Sequence, residues 1–256
     1  MEDVFNRIVE LRKKIGMEIS ADIVRRFWGQ DYTKRDYVSS RLRNVNIGAY
    51  KLRLLQDNLE MFKSKYLRFI GVSGSIAAGT VNESDDIDIF VVVKNYTSWI
   101  YRLIVTWRLK KRELVMDHSL VAKKRSQKDK FCLNFIVEER ALKFEPTVLN
   151  LHELIHLLPV YSVTSSKSDY FDGILMHNSW IMDKFGLKLP DNSEDRIPNS
   201  RSHLESIILW PFNFISFLVQ AVIMILHGGD LRKILQWWSS GKIAIYETSP
   251  NYRSDV

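Results

Sequence analysis

Two aspartates one residue apart, Asp86 and Asp88, follow Gly74-Ser75 after ten intervening residues. The β-branched run IDIFVVV, Ile87 to Val93, predicts a buried strand. On a strand, Asp86 and Asp88 project from one face and Ile87 and Ile89 from the other. Paired carboxylates repel one another, and a fold accepts that repulsion where a divalent cation sits between them. Hard oxygen ligands select Mg2+ or Mn2+. Just upstream, the small residues of GSIAAG, Gly74 to Gly79, let backbone N–H groups approach a ligand, and a helix starting there turns its positive end toward phosphate. The two halves describe a metal and triphosphate site.

A second pattern, His152-Glu153-Leu154-Ile155-His156, satisfies the H-E-x-x-H spacing of zinc peptidases. On a helix the two histidines share a face, Glu153 is the candidate base, and His177 or Glu205 is the candidate third ligand. Pro159 ends that helix within a turn of His156, and Leu151, Leu154, Ile155 and Leu158 give it an ordinary apolar face. A packed surface helix is the better reading of this segment.

The elements that must position these residues follow from hydrophobic spacing. Residues 1–66 read as helical, with Val4, Ile8 and Leu11, then Leu52, Leu55, Leu59 and Phe62, at helical intervals. Tyr66 to Val72 is a short β-compatible run ahead of the glycines. Ile100, Leu103, Ile104 and Trp107 predict a helix capped at Asn95 or Thr97, and FCLNFIV, residues 131–137, is a further strand. From about Asn150 the spacing is helical again, through HELIHLLPV and DGILMHNSWIMDKFG, and Lys188 to Ser202 is the candidate linker. The expected fold is α+β, with three parts: an N-terminal helical segment (1–66), a core with a small mixed sheet (67–145), and a C-terminal helical domain (146–256).

The strand, spacer and aspartates resemble the nucleotidyltransferase superfamily of DNA polymerase β. Its signature is an apolar residue, Gly, Gly or Ser, a spacer, then Asp, apolar, Asp or Glu, apolar. Val72-Ser73-Gly74-Ser75 and Asp86-Ile87-Asp88-Ile89 match it, with Ser73 inserted between the apolar residue and Gly74. The order of landmarks is also similar to a group of predicted bacterial and archaeal nucleotidyltransferases, with Trp99 to Arg102 after the Asp strand and Cys132-Leu133-Asn134 after a basic loop. The resemblance implies in-line attack of an acceptor hydroxyl on the α-phosphate of a nucleoside triphosphate such as ATP, with pyrophosphate release. Asp86 and Asp88 are then the metal ligands. Gly74, Ser75, Gly79 and Arg102 are the nucleotide-binding residues, and the acceptor is a small molecule, a protein or an RNA end.

The superfamily supplies a third carboxylate from a neighbouring strand. By simple alternation FCLNFIV places Cys132, Asn134 and Ile136 on one face, so Asn134 is the polar candidate. An amide can ligate through oxygen but brings no charge and cannot serve as a base. Either catalysis proceeds with Asn134, or another acid such as Asp117 or Glu138 substitutes, or the protein is a nucleotide-binding regulator with weakened catalysis.

Composition is that of an ordinary globular chain: 256 residues, 46% apolar and 26% charged, which excludes collagen-like, low-complexity and disulfide-scaffold classes. The net charge of +7 is accounted for between Tyr101 and Lys130, where ten Lys or Arg face three acids. Such a patch suits an anionic partner, triphosphate included. Trp99, Tyr101 and Trp107 beside it read as core aromatics rather than a base-stacking platform. The single cysteine, Cys132, cannot form an internal bridge, and the opening MEDVFNRIVELRKK lacks an apolar stretch of signal-peptide length, so a cytoplasmic location is expected. The apolar stretch 207–226 has the length of a membrane span but contains Pro211, Asn213, Ser216 and Gln220. It reads as a helix buried against the domain, with membrane contact as the alternative.

Overall fold

The computed structural model describes residues 2–14, 19–39, 45–115, 128–163, 166–185 and 203–244. The chain begins with α1 (Glu2–Lys14), β1 (Ile19–Ser20), α2 (Ala21–Phe27), β2 (Val38–Ser39) and α3 (Val45–Asp57). The N-terminal segment is thus mostly helical, with a short parallel pairing of β1 and β2 added. The core follows: β3 (Leu67–Val72), the one-turn helix α4 (Gly74–Ala77), β4 (Ile87–Val93), α5 (Ser98–Lys111) and β5 (Phe131–Glu138). Then come α6 (Val148–His156), β6 (Leu158–Ser162), α7 (Lys167–Met176), α8 (Trp180–Phe185), α9 (His203–Leu226), α10 (Leu231–Ser240) and β7 (Lys242–Ala244).

Five strands form one mixed sheet in the order β6-β3-β4-β5-β7, so the α+β expectation holds. β4 runs parallel to β5, and the other three pairings are antiparallel. Residues 146–256, expected as a helical domain, contribute both edge strands. The apolar run after His156 is therefore not more helix: Leu157 is extended, and Pro159 sits on an edge, where a missing N–H is tolerated. The candidate linker, 188–202, lies outside the described residues, as does Asp117.

The alternating strands serve two cores. Phe69, Phe90, Val92, Phe135 and Val137 pack with α1, α2, α6 and α7 on one face, and Ile70, Ile89, Val91, Leu133 and Ile136 pack with α5, α9 and α10 on the other. At Cys132 the alternation breaks. Asp88 pairs with Cys132 but Phe90 pairs with Phe135, so β5 carries one extra residue, a β-bulge. Cys132 and Ile136 consequently face opposite sides, which corrects the single face expected for Cys132, Asn134 and Ile136.

Two helices turn faces other than those expected. On α5 Ile100 is buried as expected, but its companions are Ser98, Trp99, Tyr101, Val105 and Leu109, while Leu103 and Trp107 are exposed. Thr97 is its N-cap residue, yet the Thr97 hydroxyl donates back to Lys94 O. The leading N–H groups are capped from afar. Ser98 N donates to Glu138 Oε1 (3.3 Å), and Trp99 N and Ile100 N donate to Asn213 Oδ1 (3.0 and 3.1 Å). On α9 the helix continues through Pro211, but only 28% of Ile208–Leu226 is buried. The expectation of a core helix is corrected: its polar residues Asn213, Ser216 and Gln220 face inward, where Asn213 and Gln220 bond to α5 and Gln220 also donates to Ser216 O of its own helix. Replacing Asn213 with Ala leaves two buried N–H groups without their acceptor and should cost about 2–4 kcal/mol. Asn213→Asp keeps the acceptor and should lose much less. Urea unfolding checks this by a lower midpoint at unchanged slope for the alanine variant.

Candidate active site

β3 ends in Val72, and Ser73 N donates to Asp88 O (3.0 Å), which ties the glycine turn to β4 at the aspartates. Gly74 has φ +64°, and a Cβ built there would lie 2.0 Å from Asp88 Oδ2. Only glycine combines that backbone angle with that approach. Gly74 opens α4, whose first N–H groups have no intrahelical acceptor by construction. Ala78 N closes onto Gly74 O, Gly79 (φ +74°) N onto Ile76 O and Thr80 N onto Ser75 O, so GSIAAG is one tight turn against the carboxylates.

The segment between turn and aspartates is pinned by a buried cation. Lys51 of α3 is fully buried, and its Nζ donates to Glu83 O (3.3 Å) and Asp85 O (2.6 Å) and pairs with Asp129 Oδ1 (3.0 Å). Asn82 N donates to Asp85 Oδ2, closing the turn that leads into Asp86. A second buried cation, Arg12 of α1, holds the other end: Nη2 donates to Ala78 O and Nη1 meets His152 Nε2, both at 3.2 Å. Neither residue carries a motif, so sequence reading missed both. An isolated Lys or Arg among helical spacing reads as surface.

Asp86, Asp88 and Cys132 bring ligand atoms within 4.8 Å of one another, the one such group among the described residues. Burial, then Asp86, Glu153 and Asp85, push the Asp88 carboxyl well above the usual carboxylate range. Burial and Asp85 raise Asp86 as well, against the opposing pull of Lys51 and a hydrogen bond from the Cys132 thiol. Burial, Asp88 and Asp86 push that thiol up in turn, so it stays protonated. A donor set of two carboxylates and one sulfur, with ionisation resisted until a cation arrives, fits a divalent metal. Two hard ligands suit Mg2+ or Mn2+, and the sulfur tolerates Mn2+ better.

Cys132, not Asn134, is the β5 residue in register with Asp88; the Asn134 side chain lies outside the described residues. Glu138, a candidate substitute acid, is at the far end of β5, where it accepts from Ser98 and Arg140. Arg102 Nη1 donates to Gln220 Oε1 (2.7 Å) between α5 and α9; burial lowers its pKa to about 10, opposed by Cys132 of the acidic group.

The H-E-x-x-H segment does form a helix, α6, and His156 closes it. Among the described residues its two histidines belong to no group of side chains placed to hold a metal ion. Arg12 holds a guanidinium against His152 Nε2, and burial with that cation lowers His152 to about 3 and His156 well below its ordinary value. Both rings are neutral, and His156 Nδ1 donates to His152 O (2.8 Å). His177 Nδ1 is likewise turned to a backbone carbonyl, that of Gly173. Glu153 lines a crevice with Ser73, Phe90 and Phe135, with Oε1 3.8 Å from His152 Nδ1; burial raises it to about 7, and its charge is felt at Asp88. It is the additional carboxylate near the aspartates, and its signal in the sequence was absorbed by the wrong motif.

Residues 57–145 match the family model described as Polymerase beta, Nucleotidyltransferase. The chain carries a DNA polymerase β-like nucleotidyltransferase domain. No curated protein and no solved structure matches it. The matched span runs from the end of α3 to just past β5 and includes every member of the acidic group. Gly74→Ala should destabilise the nucleotidyltransferase domain by about 1–3 kcal/mol through its positive φ and its collision with Asp88. Combining it with Asp88→Ala removes the collision, so the double variant should lose at least ~1 kcal/mol less than the sum of the two single losses in denaturant unfolding. Additive losses would contradict the contact.

Proposed function

We propose that the protein transfers a nucleoside monophosphate from a nucleoside triphosphate to an acceptor hydroxyl, with release of pyrophosphate. The observation that carries this reading is the Asp86–Asp88 pair set against Gly74 inside the matched domain. In this reading Asp86 and Asp88 hold Mg2+ or Mn2+, with the Cys132 thiol alongside. When bound, such an ion offsets triphosphate charge and makes the α-phosphate more electrophilic. The backbone N–H groups at Gly74 and Ser75, with the Ser75 hydroxyl, donate to the β and γ phosphate oxygens, and the turn closed at Gly79 keeps them aligned.

Glu153 supplies the proton acceptor. Its pKa of about 7 leaves a substantial ionised fraction near neutrality, where a general base works best. The acceptor hydroxyl gives its proton to Glu153 as its oxygen bonds to the α-phosphorus, and the bond from that phosphorus to the pyrophosphate oxygen breaks. Lys51 and Arg12 do not touch substrate in this scheme. They are positioning residues that fix the two ends of the loop.

A second reading rests on Cys132. A protonated thiol in register with Asp88, where the superfamily resemblance implies a third carboxylate, weakens metal binding on the acceptor side, so the protein binds nucleotide but turns it over slowly. Thermal unfolding with each nucleoside triphosphate, with and without Mg2+, tests both. Ligand at a hundred times its dissociation constant adds about 2.7 kcal/mol of stability. The expected result is a Mg2+-dependent rise that disappears in Asp86→Asn/Asp88→Asn. With γ-phosphate-labelled nucleotide, Glu153→Gln should keep that rise and lose roughly 10²-fold or more in pyrophosphate release. A rise without any turnover, recovered by Cys132→Asp, favours the second reading. No rise with any nucleotide, in folded protein, contradicts both.

A further inference from the structure

We propose that α9 is a membrane-docking face, lying in the plane of an anionic lipid surface rather than crossing it. From Ile208 to Leu226 the helix has no charged residue. Its polarity is inverted with respect to a water-facing helix. Asn213, Ser216 and Gln220 are buried, with Asn213 and Gln220 bonded to the backbone of α5. The outward positions Ile208, Phe212, Ile215, Val219, Val222 and Leu226 are between 47% and 78% exposed. Satisfying polar groups inside while presenting hydrocarbon outside is the arrangement expected of a helix in an apolar solvent. A contiguous exposed apolar patch larger than the few hundred Å² of an ordinary monomer marks an interaction surface.

The topology excludes a spanning arrangement. Asn213 and Gln220 fasten the helix sideways to α5, and within sixteen residues of Leu226 the chain is back in the core sheet as β7, paired with β5. Both ends of α9 therefore stay on the domain's side of any bilayer. In-plane burial of one face is the geometry left.

A second copy of the chain fits the face less well. A water-soluble helix pair confines its apolar residues to a narrow seam, with polar neighbours that set partner and register. Here the flanking positions Leu218, Ile223 and Ile225 are apolar and exposed too, and the two helices packed against α9 add Leu103 and Trp107 on α5 and Leu231 and Leu235 on α10. The charges on those neighbouring helices complement anionic headgroups. Lys110, Lys111 and Arg112 end α5, with Lys111 Nζ 3.7 Å from the Trp107 ring centroid, and Arg232 and Lys233 open α10. Against these five cations stand Glu113 and Asp230, and Asp230 is committed to capping Arg232 N. Aromatic and basic residues around an apolar face are the anchors of interfacial proteins.

Flotation of the full chain with two vesicle preparations tests this: phosphatidylcholine alone, and phosphatidylcholine mixed with phosphatidylglycerol. The wild type should float with the mixed vesicles and bind the neutral ones more weakly. Ile215→Asn/Val222→Asn, at exposed positions, should keep its circular dichroism spectrum and its thermal response to nucleotide while losing at least tenfold in vesicle binding. Failure of the wild type to float with either preparation would overturn the proposal. So would a discrete dimer, seen by sedimentation without lipid, that the double variant converts to monomer. Equal binding to neutral and anionic vesicles would overturn the role given to the cations.

Discussion

The repulsion between Asp86 and Asp88 is the constraint around which the rest of the core is organised. Two carboxylates held together, partly out of water and with a third acid near, cannot be maintained by local sequence preference, because every relaxation of the loop would separate them. The protein resists that relaxation through the strand ladders and through buried cations. Asp88 is locked in the centre of the sheet by the β3 and β5 ladders, and Lys51 and Arg12 grip backbone carbonyls on either side of the glycine turn and the spacer. Each of those cations is fully buried, so its own desolvation is offset by the carbonyls and side chains it holds, and losing one would leave the others uncompensated. The N-terminal helices, which supply both, are thus part of the site's construction.

The same logic of distant partners recurs at α5. Its first N–H groups are met by Asn213 from α9 and Glu138 from β5, not by the local Thr97. This ties the sheet, α5 and α9 into one unit, and it explains why α9 turns its amides inward. A helix required to cap its neighbour must present polar groups to it, and the remaining positions, free of that demand, carry the apolar side chains.

What the sequence disclosed follows from which signals are local. The strand Ile87–Val93 and the spacing from Gly74 to Asp88 were readable because β-branched alternation and small residues are properties of short windows. The bulge at Cys132 was not, since an extra residue in β5 depends on its register with β4, and it sets Cys132 beside Asp88 on the face opposite Ile136. The edge strand Leu158–Ser162 looked helical because short apolar runs do not declare a period. Trp107 and Leu103 fitted a helical stripe, but the stripe that α5 buries is set by α9 and the sheet. Glu153, Lys51 and Arg12 required the tertiary structure, because their partners lie dozens of residues away.

The account's central claim is that Asp86 and Asp88 form one cation site coupled to triphosphate at Gly74. Binding of Mn2+ followed by electron paramagnetic resonance of the free ion, with and without a non-hydrolysable nucleoside triphosphate analogue, tests it most directly. The account predicts that the protein depletes free Mn2+, that it does so more strongly with the analogue than the analogue alone, and that Asp88→Asn abolishes both effects. Mn2+ uptake that is indifferent to the analogue and unchanged in Asp88→Asn would contradict it.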